Sequence, residues 1–377
     1  MDTDVIVIGG GVIGLACAER LAAAGHTVVV LEAGTVGSGA TGASLGALMP
    51  HAPHAENPLS DAQLQSLTAM PERITRIARR GGLPTHYRKV GRIEILASAN
   101  AAEGADAKID AAATRWADLG ATRLRKAARE EVRELAPHVA ESAHGYLVDD
   151  VTARVDPPAF AHALAAAARA DGAAIAETTP VREVRPDAHG VTVVAADGQR
   201  RAPTVVVASG RLLPAIAGAR AVPMGGVKGE AMALPELADA EPRPVVTGPG
   251  GFAIARGDAL YIGSTADKTA PHDSTVSAQG LAALSGRCRK LTGIAPEARR
   301  KRVWSGIRPA APDGQPVIGR HPDQPRVILA LGHFKTGLSL AAGTADAVAA
   351  LVAGADPGAP WNAFTPARLW AAAGPEA

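Results

Sequence analysis

Cysteine is scarce: Cys17 and Cys288 are the only two in 377 residues, far apart, with no metal-ligand spacing and no Cys-x-x-Cys pair. That excludes a disulfide framework and fits a reducing compartment, the cytoplasm by default. Aromatic residues make up only 3%, so aliphatic side chains must build the core. Neither sign of charge dominates, with 39 Lys and Arg against 37 Asp and Glu and a formal net charge of +2. With no basic stripe and no acidic tail, nucleic acid is not an expected partner and a small molecule is. Export and membrane signals are not expected either. Asp2 and Asp4 stand where a signal peptide needs basic residues, and the apolar stretch from Gly337 to Gly354 carries Asp346 and many Ala and Gly. It reads as a buried helix rather than a membrane span.

What remains is an ordinary globular composition, 47% hydrophobic and 20% charged, in a chain long enough for about two domains. The clearest pattern comes first. Val5 to Ile8 is a β-branched run without alternation, as expected of a parallel strand buried on both faces. Gly9-Gly10-Gly11-Val12-Ile13-Gly14 follows at once, then a helical pattern to Ala24, a stop at Gly25, and a second strand from Thr27 to Leu31 that ends at Glu32. This is a βαβ unit with a dinucleotide fingerprint. Gly9 permits the tight turn, Gly11 lets the backbone approach a pyrophosphate, and Gly14 allows close packing of helix on strand. The N–H groups of Val12 and Ile13 open the helix toward the phosphates. Glu32, 18 residues after Gly14, is placed to accept from a ribose diol, with Ala33 beside it. A glycine turn without a ligand is the bland alternative, but strand, helix, second strand and acid all stand in register. The spacing does not separate FAD from NAD, since both use the same cradle.

Further along, Gly34 to Pro58 is a long loop rich in Gly, Ala, Ser and Pro, of the kind that usually carries function. Helical spacing is expected over Gln63 to Arg80, Lys108 to Leu119 and Glu130 to Leu135, and a strand over Tyr87 to Leu96. Asp156-Pro157-Pro158 starts a helix that runs to Ala170. Strands are expected over Ala174 to Thr178, Val181 to Arg185, Val191 to Ala195 and Arg200 to Pro203, the last two flanking a turn at Asp197-Gly198. Thr204 to Ala208 is a buried strand ending at Ser209-Gly210, small residues that suit the edge of a nucleotide site. Pro223 to Arg302 reads as strand-rich, with strands over Gly229 to Leu234, Gly251 to Arg256 and Leu260 to Thr265. Arg326 to Leu331 is a last buried strand before the apolar helix.

Three separated segments together resemble the glycine oxidase family of FAD-dependent amine oxidases, within the D-amino-acid oxidase superfamily. They are the βαβ unit with the loop Ala40 to Leu48; Val227-Lys228-Gly229-Glu230 with Gly251 to Arg256 and Tyr261 to Thr265; and Trp304-Ser305-Gly306-Ile307-Arg308-Pro309 with Asp313 to Gly319 and Gly332-His333-Phe334-Lys335-Thr336-Gly337. The resemblance implies FAD rather than NAD. It implies an α/β fold with a Rossmann-like FAD-binding domain and an interleaved α+β substrate domain on a mixed or antiparallel sheet. Residues 1–82, 145–218 and 303–377 are expected in the first, and 83–144 and 219–302 in the second.

It also implies roles. Ala40, Thr41, Leu45, Gly46 and Ala47 should present backbone N–H groups and small side chains to the flavin, Val181 should contact the adenine side, and Gly210 should border the site. The turn from His333 through Phe334, Lys335, Thr336, Gly337 and Leu338 to Ser339 should bring a helix N-terminus to the flavin N1–C2=O edge. Arg308 matches the arginine that grips the substrate carboxylate by a fork lysine cannot supply. Three positions depart from the family: Phe252 replaces a tyrosine of the carboxylate clamp, Lys335 a second arginine, and Ala266 a pocket methionine. Each change could shift discrimination between amines by about 1–3 kcal/mol.

Neither His51 nor His333 is given a proton-transfer role, since an isolated histidine is more often a hydrogen-bonded loop or core residue. Cys17 reads as core. Cys288 lies between Arg287 and Arg289, cations that could depress a thiol pKa. Its context does not match the covalent flavin site of the related monomeric sarcosine oxidases, so FAD is expected to be non-covalent.

The expected reaction is oxidation of a small amine carrying a carboxylate to an imine, which water hydrolyses, with oxygen reduced to hydrogen peroxide. The alternatives are a D-amino-acid dehydrogenase that passes electrons to a quinone or partner, and a flavin-holding subunit without turnover of its own. Assembly as a homo-oligomer is left open.

Overall fold

The computed structural model describes residues 3–54, 56–117, 124–235, 243–257, 259–299 and 301–371. The βαβ unit is as expected: strand Val5–Ile8, helix Val12–Ala23 and strand Val28–Leu31. These strands sit in a six-stranded sheet whose order is Val317–His321, Gln324–Leu331, Thr204–Val207, Val5–Ile8, Val28–Leu31 and Ala174–Ala176. All neighbours are parallel except the first two, which form an antiparallel hairpin. Alternation along the first strand assigns the two faces. Val5 and Val7 pack toward helices Val12–Ala23, Pro58–Gly81, Pro157–Ala170 and Gly337–Val352. Ile6 and Ile8 pack toward Val184, Val191 and Val193 of a small four-stranded sheet. Both faces being covered explains the unbroken β-branched run.

The second large unit is an eight-stranded sheet in the order Arg302–Ala310, Gly225–Leu234, Ala259–Gly263, Gly251–Arg256, Val245–Gly248, Arg92–Ile95, Tyr146–Asp149 and Arg125–Ala127. Its neighbours are antiparallel apart from the parallel pair of Val245–Gly248 with Arg92–Ile95, so the sheet is mixed. Helix Ala278–Thr292 packs on one face through Leu284, Cys288 and Leu291. The other face, with Ala231, Ala233, Ile254 and Tyr261, meets Leu45 of the long N-terminal loop. The expected domain boundary at 145 falls just ahead of strand Tyr146–Asp149 and the one at 303 falls inside strand Arg302–Ala310, and both strands belong to this sheet.

Three local readings change. The strand expected over Tyr87 to Leu96 breaks at Gly91, whose φ of +73° turns the chain between Arg88–Lys89 and Arg92–Ile95, which lie in different sheets. The hairpin expected at Asp197-Gly198 turns one residue earlier: Ala195 pairs with Gly198, which begins the returning strand. The helix expected over Lys108 to Leu119 is Ala105–Arg115, and residues 118–119 lie outside the described residues. Among the described residues, no helix is long and apolar enough to cross a membrane and no cluster of His, Cys, Asp and Glu could hold a metal ion.

Candidate active site

The nucleotide end is built by glycines that have no room for a side chain and one that does. Gly9 has φ +114°, and a Cβ there would lie 2.5 Å from the Ala208 carbonyl oxygen; a Cβ on Gly14 would strike the carbonyl of Gly9. Gly11 differs. It is extended, with φ −78° and ψ 175°, and a Cβ there would meet only Thr41 Oγ1, at 3.4 Å. Its open side faces the start of helix Val12–Ala23, whose N-cap makes no side-chain bond. Glu32 accepts from Gly10 N at 2.5 Å and from Gly34 N at 2.7 Å, which orients the carboxylate at the strand end and leaves lone pairs free on both oxygens. Beside Gly9, the Ser209 hydroxyl is enclosed without a hydrogen-bond partner. A space that a Cβ at Gly11 would enter, a helix start whose N-cap glycine offers no side chain and whose Val12 amide is taken by Thr41 Oγ1, an oriented acid and an unsatisfied hydroxyl fit a dinucleotide.

Two side chains of the loop after Glu32 are engaged within the protein. Thr41 Oγ1 accepts from Val12 N at 3.0 Å, so its hydroxyl serves the helix start. Leu45 is 5% exposed and packs at Gly263, where a Cβ would come within 2.7 Å of it. Gly46, with φ +95°, is needed because a Cβ would strike the Val155 carbonyl, and Ala47 pairs with Arg154. Ala33 and Ala40 are exposed, and Val181 is half-buried at the start of strand Val181–Asp187.

Arg308 lies on strand Arg302–Ala310 opposite Val227. Alternation puts it on the same face as Trp304, whose indole donates to the Ala43 carbonyl at 3.0 Å, and Gly306, where a Cβ would collide with that of Ala43. Its guanidinium lies flat over Gly229, and any side chain there would occupy the same space. It donates to the Thr265 carbonyl at 3.1 Å and to Ser264 Oγ at 2.6 Å. Burial first, and then the neighbouring Arg287 cation, push it below the usual arginine range. Among the described residues no carboxylate pairs with it. A fixed guanidinium, short of solvent and short of a counter-ion, is a receptor for an anion.

The final turn joins this strand to the cradle. Phe334 N donates to the Pro309 carbonyl at 3.0 Å, Ala310 bridges to His333, and Gly210, with φ +66°, lies against Pro309. His333 is 5% exposed, shares a hydrogen bond with Thr344 Oγ1 at 3.0 Å, and burial lowers its pKa to about 3. It is a neutral structural group. Thr336 and Ser339 hydroxyls donate to the carbonyls of His333 and Thr336, and Gln63 donates to Ser339 Oγ at 2.9 Å while its Oε1 accepts from His51 N. Leu338 packs into the helical core. Helix Gly337–Val352 therefore begins in a braced turn, with no side-chain cap on its first amides. Lys335 stands exposed with its ammonium 5.2 Å from the Phe334 ring centroid. Its pKa is lowered by partial burial and by the Arg308, Arg287 and Lys268 cations. Phe252 is half-buried on the Leu45 side of the sheet, and Ala266 is exposed just past Thr265.

Cys288 is a correction: it is fully buried, and burial raises its thiol pKa despite the flanking arginines. Cys17 is likewise enclosed and its pKa is raised to about 12. Both thiols are free and enclosed by protein. Arg287, Gly229 and Ser264 belong to the site but not to the expected set. The Ser277 N-cap and Gly293 stop of helix Ala278–Thr292 were the signals for the element that carries Arg287.

The family described as FAD dependent oxidoreductase matches residues 4–351. The chain is 32% identical over 355 residues to a glycine oxidase of Geobacillus kaustophilus, covering 93% of this chain and 92% of the relative. A crystal structure of glycine oxidase from that organism superimposes with a TM-score of 0.82 at 30% identity, covering 96% of this chain and 97% of the other. A D-amino acid dehydrogenase of Cereibacter sphaeroides is 29% identical over 411 residues, covering 94% of this chain and 92% of the relative.

Proposed function

The chain belongs to the FAD dependent oxidoreductase family, and on that premise we propose that it oxidises a small amine carrying a carboxylate, an amino acid or an N-substituted glycine, to the imine. The observation that carries this reading is Arg308. It is pinned by Ser264 and the Thr265 carbonyl, laid over a glycine that cannot be larger, and left with unpaired charge beside the turn that closes the cofactor cradle. Its fork would take the substrate carboxylate, with Lys335 as a second cation on the rim. The cradle from Gly9 to Gly14, Glu32, Ser209 and the first amides of helix Gly337–Val352 would hold FAD, which supplies a two-electron acceptor when bound. Orientation is the chain's main contribution: a carboxylate fixed at one end of a small amine fixes its α-carbon. No side-chain base is needed for an amine bound neutral. Water hydrolyses the imine to a keto acid or aldehyde plus ammonia or a primary amine.

The FAD-binding region on this reading comprises 1–82, 145–218 and 303–377, and the substrate region 83–144 and 219–302. Strands Tyr146–Asp149 and Arg302–Ala310 extend the substrate sheet. The cytoplasm is the proposed location, supported by two free buried cysteines.

Oxygen is the proposed acceptor, with hydrogen peroxide as product. Likeness to a D-amino acid dehydrogenase favours a second reading, in which a quinone or partner protein takes the electrons. Turnover with an amine found by anaerobic flavin bleaching separates them. One peroxide per imine supports the oxidase, and dye reduction with negligible peroxide supports the dehydrogenase. An FAD-loaded chain that no amine bleaches would leave only the flavin-holding subunit.

A further inference from the structure

Arg287 is a second cation at the anion receptor. Its helix, Ala278–Thr292, packs on the eight-stranded sheet beside strands Gly251–Arg256 and Ala259–Gly263. The side chain crosses the turn at Gly250 and Gly251: Cβ atoms built there would lie 3.5 Å from its Nε and 3.1 Å from its Cδ. A Cβ on Gly251 would also strike the carbonyl of Gly263, the residue before Ser264, which holds Arg308. The Arg287 stem thus lies beside the backbone that leads into Ser264, the residue that holds Arg308. Two glycines in succession keep the path of the Arg287 stem clear.

The guanidinium is unsatisfied. Nη1 is enclosed without a hydrogen-bond partner, and among the described residues no carboxylate pairs with Arg287. Nε and Nη2 also lack partners but are not enclosed. Arg287 depresses both Arg308 and Lys335, so the three charges share one field. A structural arginine would be expected to find a carbonyl or carboxylate, because leaving a guanidinium half-buried and unpaired is costly. One substrate carboxylate occupies the fork of Arg308 and does not neutralise the rest.

We propose that Arg287 binds a second carboxylate of the substrate, so that the preferred amine is an amino dicarboxylic acid. The inference rests on the amine-oxidising reading above. It fits the departures around the pocket. Phe252 offers no hydroxyl to the first carboxylate, and Ala266 leaves room beyond it, so the site is roomier and more cationic than a receptor for the smallest amino acid requires.

Anaerobic flavin reduction by isosteric pairs, aspartate against asparagine and glutamate against glutamine in both hands, and N-carboxymethylglycine against N-methylglycine, tests this with the FAD-loaded chain. The dicarboxylate is expected to half-saturate at roughly tenfold to hundredfold lower concentration than its neutral twin, the range of a charge-assisted bond. Arg287→Gln should bring the ratio close to one while FAD content and melting temperature stay at the wild-type values, and Arg287→Lys should keep part of the preference. A wild-type ratio near one overturns the inference even if Arg287→Gln fails to fold. So does a variant that keeps the full preference, or one that slows both twins equally. If no amine of either kind reduces the flavin, the amine-oxidising reading itself has failed.

Discussion

The Arg308 guanidinium is seated by the Thr265 carbonyl, Ser264 Oγ and Gly229. Gly229→Ala would force the guanidinium off its seat, because the new methyl would occupy the guanidinium's place. This variant is expected to retain FAD and raise the half-saturating amine concentration roughly tenfold or more, the scale of a lost charge-assisted hydrogen bond; steady-state kinetics beside the flavin spectrum measure both. Unchanged kinetics would mean that the guanidinium does its work elsewhere. Lys335 allows a pH test. Its pKa lies below the ordinary lysine value, so it loses charge earlier as pH rises, and the affinity for carboxylate-bearing amines should fall on the alkaline side. In Lys335→Met that limb should move to higher pH or vanish. Arg308 was legible because Trp304 to Pro309 is a continuous segment of a familiar pattern. Arg287 was not, because what makes it unusual is the absence of a partner, and absence of a partner is a property of three dimensions.

Elements with strong local signals were legible. The first strand, the glycine turn, the helix and Glu32 all follow from residues within one short stretch, whereas the helix expected over Gln63 to Arg80 starts earlier, at Pro58, where its N-cap Asn57 accepts from Ser60 N. Helix Ala278–Thr292 was not, since its glycines and cations blur the apolar spacing and its identity comes from packing Leu284, Cys288 and Leu291 on a distant sheet. The glycine turn yields a contrast between two variants. Gly11→Val should fold, because the backbone there is extended and the space is open, but should purify without FAD. Gly14→Val should not fold properly, because its side chain would run into the Gly9 carbonyl. A Gly11→Val protein with full flavin would contradict the cradle. The braced turn before Gly337–Val352 adds a stability test. Burial lowers the His333 pKa in the folded chain from the ordinary 6.5 to about 3, so its contribution is complete above pH 6.5 and is lost as pH falls toward 3. The melting temperature should drop across that window, and less steeply in His333→Asn.

At the scale of the molecule, the chain visits each large sheet more than once, and the site forms where the visits meet. The cradle comes from residues near Gly9, Glu32 and Ser209, the receptor from Gly229, Ser264 and Arg308, and the Phe334 amide bond to Pro309 ties them together. Sheet order cannot be read from composition or periodicity, and this is why strands Tyr146–Asp149 and Arg302–Ala310 fell outside the sheet they belong to. The central claim is that a carboxylate held by Arg308 presents an amine to FAD. The most direct test is the anaerobic absorbance spectrum of the FAD-loaded chain mixed with carboxylate-bearing amines and with their decarboxylated counterparts, for the wild type and Arg308→Ala. The wild-type flavin should bleach with at least one carboxylate-bearing amine and not with its decarboxylated counterpart, and the variant should need far more of that amine while staying yellow. Equal bleaching by the amine without its carboxylate, or an Arg308→Ala protein that behaves as wild type, would contradict the account.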